Sequence, residues 1–262
     1  MPGDKQRIGR SFARHFARYD KAAIVQNDMA ARLDASLECR IPADAPTVKR
    51  ALEIGIGTGF LTRRLTARFP HAEWWFNDLT PAAFDWIPAG LRHAVPLEGD
   101  AEALPYPDGL DLIASASALQ WFDDLPAFFR KAHTVLNRGG LLAIATFGQR
   151  NLHELTTLTG GGTPALPYPT LEELCHLAEE AGFSLLHSEE WLHTLLFPTA
   201  RDVLEHLRST GVNGQSTGQI STPARLRAFH EAYARAFATP EGQLPLTYHP
   251  LILLAQVNTP RF

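Results

Sequence analysis

Between Arg50 and Phe147 short apolar runs alternate with helical patterns, and that rhythm restricts the chain more than any other feature in it. Parallel strands cannot be joined by a tight turn; each needs a crossover, usually a helix, so a repeated strand-then-helix order reads as βαβ units on a parallel sheet. Five strands are expected, near Arg50 to Ile54, Glu73 to Asp78, Ala94 to Glu98, Leu110 to Ser115 and Leu141 to Phe147. Leu61, Leu65 and Phe69 at i, i+4 and i+8 predict one helix, and Phe128, Phe129, Ala132, Val135 and Leu136 predict another. Asp123-Asp124 offers acceptors at the start of that second helix, and Gly139-Gly140 reads as its end.

Beyond Gly148 the pattern loosens. Gly160-Gly161-Gly162 and the prolines at 164, 167 and 169 precede a helix from about Leu171 to Ala181, with Gly182 as its cap. Strands from about Ser184 to Leu196 and from about Leu246 to Val257 bracket helices near Ala200 to Thr210 and Pro223 to Phe237. The connection from Gly211 to Thr222 reads as mobile. The expected architecture is α/β: a mostly parallel, seven-stranded sheet with helices on both faces and a helical insertion before the last strand. One domain is expected over residues 1–262, with a helical cover over 1–48, a binding core over 49–148 and the insertion over 198–243.

Composition narrows the class. No run of about 18 apolar residues occurs and the first residues lack an apolar signal region, so neither a membrane span nor export is expected, and the home is cytoplasmic. Cys39 and Cys175 are too few for a disulfide framework or a four-ligand zinc site, and no HExxH spacing occurs, so no metal is expected. A net charge of −4 argues against nucleic acid as a partner. Locally, however, Arg10, Arg14 and Arg18 form a stripe on a helix whose other face carries Ile8, Phe12, Phe16 and Tyr19. That stripe is either a solvated face or a site for an anionic partner.

The chemistry sits in Leu52-Glu53-Ile54-Gly55-Ile56-Gly57-Thr58-Gly59-Phe60, where the first strand turns into its helix. Glycines there let backbone N–H groups face a ligand. Phe60 stands where a dinucleotide fingerprint needs its third glycine, and no Lys-Ser/Thr pair makes a P-loop. Glu53 on the turn would repel a phosphate and attract a cation. Asp78, nineteen positions beyond Gly59, ends the second strand, where a carboxylate can accept both hydroxyls of a ribose. Asp100-Ala101-Glu102 follows the third strand.

The Glu-Ile-Gly-Ile-Gly-Thr-Gly run, Asn-Asp-Leu-Thr-Pro and Gly-Asp-Ala-Glu-Ala-Leu-Pro resemble motifs of the class I S-adenosylmethionine-dependent methyltransferases, a Rossmann-like family. The Phe12 to Tyr19 segment, Ser117-Ala118-Leu119-Gln120-Trp121 and Leu244-Pro245-Leu246-Thr247-Tyr248-His249 narrow the likeness to the malonyl-[acyl-carrier protein] O-methyltransferases of biotin synthesis. The resemblance implies S-adenosylmethionine as cofactor, with Glu53, Gly55, Gly57 and Gly59 around its methionine portion and Asp78 on the ribose. It implies Leu79 packed on adenine, Asp100 accepting from the adenine amino group, the Ala101 backbone at the ring, Ser117 in the cofactor site and Tyr19 closing over it.

The resemblance further implies methyl transfer to the free carboxylate of a malonyl thioester on an acyl carrier protein, the ester that primes pimeloyl formation. Such an acceptor, with a pKa near about 4, is ionised at neutral pH and needs no general base. It needs groups to position it: Arg150, His249 and Tyr19 are candidates, with Gln120 and Trp121 at the same rim. The carrier would dock on the basic N-terminal stripe or on Arg201 and Arg208. Two alternatives stay open: another small carboxylic acid as acceptor, aconitate-like, or a non-catalytic module that binds the cofactor. No Asn/Asp-Pro-Pro-Tyr/Phe motif follows the fourth strand, which disfavours a nucleic-acid methyltransferase. The oligomeric state is left open.

Overall fold

A computed structural model describes residues 5, 19–41, 48–158, 168–211 and 222–258. Strands β1 (Arg50–Ile54), β2 (Glu73–Asp78), β3 (Ala94–Glu98), β4 (Leu110–Ala116) and β5 (Leu136–Phe147) are parallel, in the order β3-β2-β1-β4-β5. The sheet is extended past β5 by β9 (Pro250–Val257) and then β6 (Phe183–Glu190), with β9 antiparallel to both neighbours. Seven strands result, as expected. The order reverses between β1 and β4, and such a switch point opens a crevice at the carboxyl ends of the strands.

Alternation along β1 explains why both faces need cover: Leu52 and Ile54 enter one core, Ala51 the other. One face is packed by helices α1 (Ile24–Arg40) and α2 (Phe60–Arg68), whose Met29, Leu33, Leu37 and Leu65 are fully buried. On the other lie α3 (Leu125–Val135) and α5 (Leu171–Glu180), with Phe129, Leu174 and Ala178 buried. Asp124 caps α3 by accepting from Ala127 N at 2.8 Å.

Three expectations change. The Gly139-Gly140 pair does not end α3, which stops at Val135; β5 begins at Leu136 and carries both glycines where its register against β4 shifts. The strand expected over Ser184 to Leu196 is two, β6 and β7 (His193–Phe197), and that over Leu246 to Val257 is also two, β8 (Leu244–Tyr248) and β9. β7 and β8 pair as a separate antiparallel ribbon. Both breaks fall at one level, where Trp191 N donates to Pro250 O and Gly148 N donates to His249 O. Pro250 cannot donate to a ladder, so it starts β9 rather than continuing β8. The insertion helices α6 (Ala200–Ser209) and α7 (Pro223–Phe237) therefore run between the two ribbon strands. The helix expected to carry Arg10, Arg14 and Arg18, the Gly160–Gly162 stretch and residues 212–221 lie outside the described residues.

The short helix α4 (His153–Leu158) is tied to β8 by Glu154, 1 % exposed, whose carboxylate accepts from Thr247 N at 3.1 Å and Thr247 Oγ1 at 2.6 Å. Glu154→Ala strands Thr247 N, while the Thr247 hydroxyl keeps Thr194 Oγ1 at 3.1 Å. The expected loss is about 1–3 kcal/mol, the cost of one unsatisfied buried group. Denaturant unfolding followed by tryptophan fluorescence checks it; a loss under about 1 kcal/mol means water replaces the carboxylate.

Candidate active site

The crevice at the switch point is a cleft between the carboxyl ends of β1, β2 and β4. Its floor is the turn after β1. Gly55 N and Ile56 N both donate to Asn77 O, and Gly59 N donates to Ile56 O, which folds the turn back on itself. Gly55 has φ +71°, and a Cβ there would stand 2.4 Å from Ala118 Cβ. Gly57, at φ +52°, has nothing within 4 Å of a would-be Cβ, so its backbone faces open space in the cleft.

Strand alternation sends Glu53 toward α2, where it is 1 % exposed and accepts from Thr62 Oγ1 at 3.0 Å. Its second carboxylate oxygen is buried without a hydrogen-bond partner. Burial pushes the Glu53 carboxyl up to about 8; the Thr62 hydroxyl opposes this and the charge of Asp78 adds to it. Asp78, at the end of β2, accepts from Gly57 N at 3.0 Å through one oxygen and from Thr80 N at 2.9 Å through the other. Burial raises its pKa too, against those backbone donors. Leu79 N adds a third backbone donor, and the carboxylate keeps a lone pair for one more.

Above the turn, Ser117 follows β4 with φ +59°, an uncommon conformation for a residue with a side chain, held by Ser117 N donating to Ala145 O. Gln120 braces it, Nε2 donating to Ser117 O at 2.7 Å. Tyr19 stacks on Phe60, with ring centroids 6.2 Å apart.

The residues singled out from sequence divide cleanly. Tyr19, Glu53, Gly55, Gly57, Asp78 and Leu79 line the cleft, as do Asp100, Ala101, Ser117 and Trp121. Gly59 and Gln120 do not line it; they support the turn and Ser117 from behind. Arg150 and His249 are also outside the lining. His249 is 2 % exposed; its Nδ1 accepts from Arg150 N at 3.2 Å, and its Nε2 lies 2.9 Å from Glu190. The half-exposed Arg150 guanidinium lies 3.3 Å from the same Nε2 and 3.5 Å from the Glu190 carboxylate, so the three groups form one cluster.

The lining residues to which the sequence reading gave no role include Asn77, Gln26 and Lys5. Asn77, the polar break in an apolar strand, donates through Nδ2 to Leu97 O and Gly99 O and so holds β3 to the glycine turn. Gln26, 5 % exposed on α1, keeps a buried Oε1 without a hydrogen-bond partner at the cleft. Lys5 gave no signal at all: its ammonium pairs with Asp100 at 3.0 Å, with Glu102 and with Asp123 at 3.6 Å. Glu102 in turn accepts from Asp123 N and Asp124 N, fixing the segment that carries Trp121 and Phe122. Glu102→Ala is expected to cost about 1–3 kcal/mol and to loosen that wall, read as a lower Tm with altered tryptophan emission; an unchanged emission spectrum would show the wall is held elsewhere.

The cleft thus joins an acidic glycine turn to a carboxylate at the end of β2. A model of the methyltransferase domain family matches residues 52–144. A malonyl-[acyl-carrier protein] O-methyltransferase of Haemophilus influenzae is 38 % identical, over 97 % of this chain and 95 % of that protein. The chain belongs to the malonyl-[acyl-carrier protein] O-methyltransferase family. A Bacteroides fragilis member is 37 % identical over 95 % of this chain, which spans half of that longer protein. Among solved structures, the YcgJ protein of Bacillus subtilis superposes with a TM-score of 0.60 at 16 % identity, covering 86 % of this chain and 99 % of that one. That likeness speaks for the fold alone. No described helix is long and apolar enough to cross a membrane.

Proposed function

We propose that the protein transfers the methyl group of S-adenosylmethionine to the free carboxylate of a malonyl thioester carried on an acyl carrier protein. The observation that carries this reading is the Glu53 carboxyl oxygen, buried beside the cleft with no hydrogen-bond partner. A buried carboxylate is costly unless a cation or donor meets it, and the cationic methionine end of this cofactor fits that need. When bound, the cofactor supplies an electrophilic methyl on a sulfonium cation.

The chain's own residues do the rest. Glu53 with the Gly55, Gly57 and Gly59 turn holds the methionine end, and the Asp78 carboxylate takes the ribose. Leu79 and Ala101 bracket the adenine, with Asp100 accepting from its amino group and Ser117 beside it. Tyr19, Phe60, Trp121 and Phe122 wall the cleft with aromatic surface, which excludes water from an electrophile that water would otherwise consume. Gln120 acts at one remove, through Ser117. Arg150 and His249, engaged with Glu190, hold the strand ends together. No general base is required, because the acceptor is already an anion and alignment supplies the rate. Arg201 and Arg208 on α6 dock the carrier by complementary charge.

Incubation with labelled S-adenosylmethionine and separate malonyl-carrier, malonyl-pantetheine and aconitate acceptors tests the reading. Label in the malonyl methyl ester supports it; label in aconitate alone, or in none, overturns it. Arg201→Glu with Arg208→Glu is expected to raise KM for malonyl-carrier and to spare malonyl-pantetheine; equal loss on both removes the docking assignment.

A further inference from the structure

Helix α1 meets the cleft with a polar side chain where its packing calls for an apolar one. Gln26, Ala30, Leu33 and Leu37 follow one another at helical spacing, so they share a face, and all are buried. Ala30, Leu33 and Leu37 enter the core, whereas Gln26 heads the same row and lines the cleft. Its Oε1 is buried without a hydrogen-bond partner. An unmatched buried acceptor costs stability, and a leucine would fill this position without that cost.

Glu53 repeats the arrangement from the sheet side: its Oε2 is also buried without a partner, and it lines the same cleft. Both atoms accept and neither can donate, so only a ligand bearing donors relieves them. A hydroxyl offers one proton. An alkylammonium offers three N–H groups, and its charge answers the carboxylate as well.

The neighbours of Gln26 indicate which end of the cleft it serves. Helix α1 packs on β4 and β5, and Met29, three residues on and on the same side of the helix, accepts from the Ser117 hydroxyl through Sδ at 3.7 Å. Ser117 leads to Ala118, whose Cβ excludes any side chain at Gly55. Gln26 therefore serves the end of the glycine turn that abuts Ser117, on the β4 side of β1. Asp78 and Asp100 follow β2 and β3, on the other side of β1. The ribose hydroxyls and the adenine amino group go with those two acids, which leaves the methionine ammonium as the donor for the near side. The reacting end of the methyl acceptor, an ionised carboxylate, has no donor to give.

We propose that Gln26 and Glu53 together accept from the ammonium of the cofactor's methionine end, one from helix α1 and one from the sheet. This rests on the cofactor reading above and adds to it a contact from outside the sheet, through which the cleft selects nucleosides that carry an amine. Ala23 N donates to Tyr19 O, so the turn bearing Tyr19 is continuous with α1, and a ligand that holds Gln26 also holds Tyr19 at the cleft. No bond forms or breaks at Gln26, which acts by contact as a specificity residue.

Calorimetry with three ligands tests the contact: S-adenosylhomocysteine, its deamino analogue, in which hydrogen replaces the amine and the carboxylate stays, and 5′-methylthioadenosine, which lacks the amino-acid end. In Gln26→Leu the Kd for S-adenosylhomocysteine should rise about tenfold, the worth of one hydrogen bond to a charged group. The Kd values for the other two ligands should stay within about twofold. The ligand-free variant should unfold about 2–4 °C higher, because the unmatched acceptor is gone. Gln26→Met, closer in shape, should give the same selective loss even where leucine disturbs α1. Equal weakening of all three ligands, or of none, overturns the contact, as does a wild type that binds S-adenosylhomocysteine no better than its deamino analogue. A wild type that binds none of the three defeats the cofactor reading instead. One that binds as expected yet methylates no malonyl thioester defeats the methyl-transfer reading and leaves Gln26 its role.

Discussion

Gly55→Ala is expected to abolish measurable cofactor binding and to lower stability by about 2–5 kcal/mol, the sum of a left-handed backbone penalty of about 1–2 and an overpacking cost of about 1–3. The clash is specific. The new methyl would stand 2.4 Å from Ala118 Cβ, so either the glycine turn or the segment leading to Leu119–Trp121 must move, and both border the cleft. The partner of the clash supplies the control: Ala118→Gly in the same chain removes the overlap and should recover the packing part of the loss, leaving only the backbone part. Gly57→Ala separates the two effects. Nothing lies within 4 Å of its added methyl, so stability should fall by only about 1 kcal/mol, while the methyl projects into the ligand's space and weakens binding. Thermal unfolding and calorimetry with S-adenosylhomocysteine read both quantities. If Ala118→Gly fails to rescue Gly55→Ala, the turn is not set by this contact.

Those glycines were legible in the sequence because their chemistry is local: a strand, an acidic residue and a GxGxG turn are contiguous. Four of the five parallel strands were legible for a similar reason, since each is buried on one or both faces and written as an apolar run, while the edge strand β3 alternates half-buried Val95 and Leu97 with exposed residues. Legibility ended where a choice depended on distant residues. The breaks at Trp191 and His249 are set by each other across two strands, through the Trp191 to Pro250 hydrogen bond, and nothing local announces them. Gly139-Gly140 reads as a helix stop in isolation, yet it serves the register shift against Leu110–Leu112. Helix α1 repeats Val25, Met29, Leu33 and Leu37 at four-residue spacing, a pattern present in the sequence and resolved only as part of a general helical cover. At the site, Lys5 is 95 positions from Asp100, and Met29 is 88 from Ser117. Such pairs are made by topology and carry no motif.

Glu53→Gln is expected to make the ligand-free protein more stable at pH 8 and a poorer binder, and the sign follows from one titration. Burial raises the Glu53 carboxyl from its ordinary 4.5 to about 8. The folded protein therefore holds a proton between about pH 4.5 and 8 that the unfolded chain has released, so this group's contribution to stability falls as pH rises through that window. Glutamine cannot ionise, and its variant should lose that slope. A bound cation reverses the balance by favouring the carboxylate, so cofactor binding near pH 7 should expel a proton and wild-type affinity should rise from pH 6 to pH 8 and then level. Calorimetry in buffers of different ionisation heat measures the released proton directly. For Glu53→Gln the release should vanish, the pH dependence flatten and the affinity drop roughly 10- to 100-fold, the worth of one charge-assisted bond in a buried site. Retained proton release in that variant would assign the titration to Asp78, whose carboxyl is also raised by burial and faces the same turn. Affinity independent of pH in the wild type would mean that Glu53 meets no cation, and the cofactor assignment would lose its main support.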